Sequence, residues 1–190
     1  MKSKETEIIK YLLKNKEEKN INQIAKEVRI DYKNAHSIIQ RLQKKQVVTL
    51  EQFGNAWKVK LKNNIHPLLF EAEYERQQTL LKDKNIKTML NYYKRNLSTK
   101  LYVLLLFGSY AKETQTKHSD IDLFFITSEE KVEKEIHKIT ALIPLKTHVN
   151  IFTEKQFKEM KNSKEKTVGS EAIKNNIILH GIEAYYELIQ

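Results

Sequence analysis

The feature that most restricts this 190-residue chain is a pair of aspartates set into an apolar stretch. Residues 101–127 read LYVLLLFGSYAKETQTKHSDIDLFFIT. The run Leu101–Phe107 is short enough for a buried strand and is closed at once by Gly108-Ser109. Tyr110–Glu113 has helical composition, a polar loop follows, and a second strand is expected over Asp120–Thr127. Alternate side chains of a strand share a face, so Asp120 and Asp122 point one way while Ile121 and Leu123 point the other. Two carboxylates on one face of an apolar strand repel each other and need a compensating charge. A hard divalent cation such as Mg2+ is the natural partner. Gly108 lets backbone approach a ligand closely, and N–H groups at the start of a helix hold phosphate oxygens. The stretch therefore sets a phosphate cradle beside metal-holding carboxylates, which is what phosphoryl or nucleotidyl chemistry needs.

Gly108-Ser109, ten residues, then Asp120-x-Asp122 resembles the signature of the polymerase-β-like nucleotidyltransferase superfamily. Within it the pattern is most similar to the minimal nucleotidyltransferases of archaea and bacteria. The tail Ile177–Tyr186 also resembles the way such domains end. The resemblance implies that Gly108 and Ser109 contact the nucleotide phosphates and that Asp120 and Asp122 are catalytic and bind Mg2+. It further implies transfer of a nucleoside monophosphate from an NTP to a hydroxyl, with release of pyrophosphate. Lys112 is the best single candidate for a further contact to the NTP phosphates. Active relatives usually place a third carboxylate on a later strand. The candidate strand here, Lys146–Thr153, offers His148 and Asn150 on its inward face by alternation, and neither is acidic. Asn150 has an amide oxygen for a metal, and His148 can take a proton near neutral pH. Glu113 stands where relatives often carry a glycine. Two readings stay open: an active transferase, or a nucleotidyltransferase fold that catalyses nothing. The acceptor is open as well, among protein, nucleic acid and small molecule. Antitoxins of this branch modify a tyrosine of a partner toxin, although their usual form lacks an N-terminal winged helix.

Composition narrows the setting. Hydrophobic residues make up 40% of the chain, and only four glycines and two prolines are present, which favours long helices and few elaborate loops. The absence of cysteine excludes disulfides and thiolate metal sites and agrees with a cytoplasmic protein. No apolar run approaches the roughly 18 residues of a membrane span, and the lysine-containing N-terminus has no signal-peptide pattern. The net charge of +10 is unevenly placed. Residues 1–62 hold 15 Lys and Arg against 7 Asp and Glu, a balance of +8, whereas residues 63–190 hold 19 against 17, a balance of +2. A basic first third ahead of a nearly neutral remainder points to a polyanion bound by the first part.

That first part has its own pattern. Glu5–Asn15 places Ile8, Ile9, Leu12 and Leu13 at helical spacing. After a polar break over Lys16–Asn20, Asn20 can cap a second helix, Ile21–Val28, and Asp31 a third, Tyr32–Lys45. Ala35, Ile38, Ile39 and Leu42 form the buried stripe of the third helix. Tyr32, Lys33, Asn34, His36, Ser37, Gln40, Arg41 and Lys44 remain for solvent or a partner. Val47–Leu50 and Ala56–Leu61 read as strands of a hairpin around Gln52-Phe53-Gly54-Asn55. Three helices and a hairpin resemble a winged helix-turn-helix of the MarR/ArsR-like kind, with Tyr32–Lys45 as recognition helix and Glu51–Trp57 as wing. Asn, Gln and Arg can read base edges while Lys and Ser hold phosphates, so the eight exposed residues are the expected DNA contacts.

The expected organisation is α+β. It has a winged helix domain over 1–62, linking and packing helices over 63–97, and a mixed-sheet nucleotidyltransferase domain over 98–190. Leu68–Leu97 has no Gly or Pro and reads as helix broken at Asp83-Lys84-Asn85, with homodimerisation as a functional alternative to a linker. Further helices are expected over 129–143, Glu154–Met160 and Lys164–Asn175. His118, two residues before the first aspartate, joins His148 as the histidine placed close enough to matter.

Overall fold

The computed structural model describes residues 3–14, 16–54, 56–163 and 165–190; Asn15, Asn55 and Lys164, each at the margin of an expected element, lie outside the described residues. The chain divides into two compact units between Glu75 and Arg76.

In the first unit, helix α1 (Lys4–Lys14) buries Ile8, Ile9, Leu12 and Leu13, the four positions its spacing marks. Lys19–Asn20, expected to be part of a polar break, instead forms a short strand, β1. Helix α2 (Ile21–Val28) follows directly, opened by a capping box between Asn20 and Gln23 and closed by Arg29 in the left-handed region. Helix α3 (Tyr32–Lys44) is capped by Asp31 and buries Ala35, Ile38, Ile39 and Leu42. Strands β2 (Val48–Phe53) and β3 (Ala56–Leu61) form an antiparallel hairpin, and β1 pairs with the other edge of β3. Strand β2 runs three residues beyond the expected Leu50, because cross-strand pairing continues through Phe53↔Ala56. Glu5 of α1 ties the helices together, meeting Arg41 at 3.2 Å and Lys45 at 2.8 Å. These contacts, led by the hydrogen bond from Lys45, hold its carboxyl below the usual range.

Helix α4 (Pro67–Leu80) contains the division between the units, and α5 (Lys84–Asn96) is capped by Asp83. The second unit is built on β4 (Val103–Phe107), the one-turn helix α6 (Gly108–Lys112), β5 (Ile121–Ile126), α7 (Glu130–Leu142) and β6 (Thr147–Phe152). It is completed by α8 (Glu154–Asn162), α9 (Val168–Lys174), β7 (Asn176–His180) and α10 (Ile182–Ile189). Its sheet has the order β6-β5-β4-β7, in which β4 pairs antiparallel with both β5 and β7, and β5 pairs parallel with β6. A mixed sheet with helices around it agrees with the α+β expectation. Strand β7 has no counterpart in the sequence reading, since its apolar run Ile177–Leu179 is too short to separate from a helix end by periodicity. Helix α9 starts at Val168 because Thr167 and Ser170 cap each other there, four residues later than expected.

Both faces of this sheet are covered, as apolar residues at odd and even positions require. Ile121, Leu123 and Phe125 join Ile86, Leu90 and Tyr93 of α5 and Val132 and Ile136 of α7 in one core. On the other face Phe124 packs against Phe107, Phe152 and Phe157, and Phe157 against Tyr185. The outer edge of β7 is capped by side chains. The buried Gln77 donates from Nε2 to the carbonyls of Ile178 (3.0 Å) and Leu179 (2.8 Å), and Arg76 donates to that of Asn176 (2.7 Å). Such donors satisfy backbone carbonyls that an edge strand otherwise leaves open. Asp120 and Asp122 sit on the aromatic face, just where its apolar covering ends.

Candidate active site at the start of strand β5

Strand β5 begins at Ile121, so Asp120 immediately precedes it and Asp122 is its second residue. Ile121 and Leu123 are buried in the α5/α7 core, which fixes the two carboxylates on the opposite face. Asp122 is paired with Phe107, the last residue of β4, and Gly108 follows. Gly108 has φ +68°, and a Cβ built there would stand 2.1 Å from Oδ2 of Asp122. No other residue allows both that backbone conformation and that approach. The Gly-Ser turn and the aspartate pair are thus one structure: the turn is glycine because the carboxylate lies against it.

On the far side of β5 the parallel register sets Asp122 beside His148, with Oδ1 and Nδ1 3.6 Å apart. One step earlier, the backbone N–H of Ile121 donates to the carbonyl of Lys146 at 2.9 Å. That anchors Lys146 next to Asp120, and its Nζ lies 2.6 Å from Asp120 Oδ1. Beyond this ion contact, the solvent-shielded oxygen has no hydrogen-bond partner. The Asp122 carboxyl is raised above its ordinary range, by burial first and by the charge of Asp120 in addition, against the opposing influence of His148. A strand pair carrying Asp-x-Asp against Lys-x-His is the electrostatic content of the site.

The other expected site residues are placed as follows. Ser109 lies in α6, and its carbonyl accepts the N–H of Thr114 at 3.0 Å. Lys112 is exposed but paired with Glu171 of α9, so its ammonium is directed to that carboxylate. Glu113 adopts φ 58°, the left-handed backbone that a glycine would take without strain. Val149 and Ile151 pack on the α5/α7 core, leaving His148 and Asn150 on the aspartate face as alternation predicts. Their levels differ, however. Asn150 pairs with Phe124, not with an aspartate, and its buried Nδ2 has no hydrogen-bond partner. His118 is in the exposed loop before Asp120, its N–H bonded to Thr116. Among the described residues, no group of three His, Cys, Asp or Glu side chains converges to hold a metal. Sequence reasoning missed Lys146, although the strand alternation that selected His148 also puts residue 146 on the same face.

In the first unit the eight expected DNA contacts fall into two groups. Tyr32, Lys33, Gln40 and Lys44 are exposed, and Tyr32 stacks with His36 at 6.0 Å between ring centroids. Asn34, Ser37 and Arg41 are engaged internally: Asn34 with the cap Asp31, and Arg41 with both Ser37 and Glu5. At the hairpin, Phe53 is 67% exposed with Lys58 Nζ 4.3 Å from its ring centre.

Residues 84–184 match the family described as polymerase beta nucleotidyltransferase. No curated protein matches the chain. Among solved structures, a chain from "Crystal structure of the toxin-antitoxin with AMP-PNP" is similar at 22% identity. The similarity covers 56% of this chain and 78% of that one, with a TM-score of 0.35.

The raised Asp122 carboxyl has a measurable consequence. A folded-state pKa above the unfolded value gives stability that is complete below the ordinary Asp range and lost as pH rises through the raised value. At neutral pH the ionised Asp122 is then a net cost. Asp122→Asn is expected to unfold at a higher temperature than wild type at pH 7 in chelator-treated buffer, with the gain vanishing towards pH 3. A midpoint for Asp122→Asn that is lower at pH 7 than at pH 3, relative to wild type, contradicts this.

Proposed function

The chain belongs to the polymerase beta nucleotidyltransferase family, and from that premise we propose a Mg2+-dependent nucleotidyltransferase with a DNA-binding N-terminal unit. The observation that carries the first half is the contact of Gly108 with Asp122, which puts the turn that would meet phosphates against the carboxylates that would hold the ion. The donor set fits the metal: hard carboxylate oxygens, one of them shielded from solvent and lacking a hydrogen bond. Asp120 and Asp122 would hold Mg2+, which when bound neutralises phosphate charge and polarises the transferred phosphoryl group. Gly108-Ser109 orients the phosphates through backbone N–H groups. The acceptor hydroxyl oxygen bonds to the α-phosphorus as the bond to the bridging oxygen breaks and pyrophosphate leaves. His148, beside Asp122 on the neighbouring strand, is the group on hand to take the hydroxyl proton.

A second reading keeps the nucleotide but not the turnover. The position level with Asp122 on β6 is a histidine rather than a carboxylate, and Lys146 lies on Asp120, which favours a binding domain of low catalytic power. The two separate on one experiment. In a lysate of the parent cell, radiolabelled NTP should transfer label to an acceptor in the presence of wild-type protein. Asp122→Asn should reduce transfer by at least about 100-fold. Label transfer that persists undiminished in Asp122→Asn sinks the enzymatic reading.

For the first unit, a winged helix reading is supported by three helices followed by a hairpin, by the +8 balance of residues 1–62, and by the exposed Lys33, Gln40 and Lys44 on α3. It is proposed as a duplex-binding module of a cysteine-free, cytoplasmic protein. Duplex DNA should bind in a salt-sensitive manner, and Lys33→Ala/Lys44→Ala should weaken binding uniformly across sequences and lower the salt slope by roughly 2. An unaltered salt slope in the double variant removes α3 from the interface.

A further inference from the structure

The nucleotide site contains one cation that the family pattern does not account for. Lys146 is held in place by its backbone, through the Ile121 N–H to Lys146 carbonyl bond, while its side chain is 77% exposed. Among the described residues, the ammonium makes one ion pair, the 2.6 Å contact to Asp120 Oδ1. That contact engages an oxygen a divalent ion would use, and two cations on one carboxylate oxygen repel each other, so a bound metal ion disfavours it. Once displaced, the ammonium does not have far to go. Lys146 and His148 flank the aspartates on the β6 side, while Gly108-Ser109 flank them on the β4 side, so a polyphosphate laid across the carboxylates runs between them. Lys112, the cation expected to meet those phosphates, is paired with Glu171.

Resting on the nucleotide-site reading above, we propose that Lys146 is a movable nucleotide-binding residue. It pairs with Asp120 until a divalent metal takes that carboxylate, and then it contacts the non-bridging oxygens of the nucleotide's polyphosphate. The long, unbranched and exposed side chain suits the exchange, since three donors on a flexible stem can follow either anion. The charge balance is kept at each stage. The carboxylate pair is partly neutralised by Lys146 first and by the metal afterwards, and the freed ammonium offsets the phosphate charge.

The role predicts effects of opposite sign in two titrations of the full chain, which a merely structural role would not give. By calorimetry, Lys146→Met should bind Mn2+ alone roughly two- to fivefold tighter than wild type, because the competing ammonium is gone. At saturating Mn2+, the same variant should bind a non-hydrolysable ATP analogue about tenfold more weakly, because a charge-assisted contact to phosphate is lost. Lys146→Arg should stay near wild type in both. If wild type binds Mn2+ and the analogue while Lys146→Met matches it, or shifts both affinities in the same direction, the proposed role of Lys146 is overturned and the nucleotide site stands. If wild type binds neither, the nucleotide site itself is refuted and Lys146 with it.

Discussion

Two like charges at the start of one strand govern the chemistry of the second unit. Asp120 and Asp122 sit where β5 emerges from its apolar covering, so they are neither fully solvated nor fully buried. The fold offsets their repulsion from β6, whose register delivers Lys146 to one carboxylate and His148 to the other. It also brings Asp122 against Gly108, so that the backbone of the turn and the carboxylate share one small volume. A site of this kind is costly to stability and useful for binding cations and phosphates, a common trade at functional positions.

The rest of the unit keeps those few residues in position. Strand β5 is central, hydrogen-bonded on both sides, and its remaining side chains are locked into two cores, one with α5 and α7 and one with the Phe124–Phe157–Tyr185 cluster. Strand β7 extends the sheet beyond β4, and its outer carbonyls are taken by Gln77 and Arg76. Asn176 at its start is buried, donating to the Ala172 carbonyl and to the Tyr185 hydroxyl. This framework sets the register on which the Asp-x-Asp/Lys-x-His pairing depends.

Much of this was legible in the sequence because it is local. The Gly108-Ser109 turn, the alternation of Asp120 to Leu123, the caps Asn20, Asp31 and Asp83, and the buried stripes of α1 and α3 all follow from spacings within one element. What was not legible depends on pairing between distant segments. Lys19–Asn20 is a strand only because β3 is there to bond it. Strand β7 is extended because β4 offers an edge, and Lys112 is paired with Glu171, 59 residues on. Asn150 shares the aspartate face, yet the register sets it two residues beyond the Asp122 level, opposite Phe124. Arg41 and Asn34 looked like free recognition residues, but Glu5 and Asp31 engage them.

We propose that the carboxylate pair and the glycine turn hold a nucleotide, whatever the acceptor. Calorimetry with Mg2+ and a non-hydrolysable NTP tests it most directly, comparing wild type with Asp120→Asn/Asp122→Asn. Metal-dependent nucleotide binding by wild type, lost in the double variant, is the predicted result. Absence of binding in wild type, or equal binding by both proteins, rules out a nucleotide site at these aspartates.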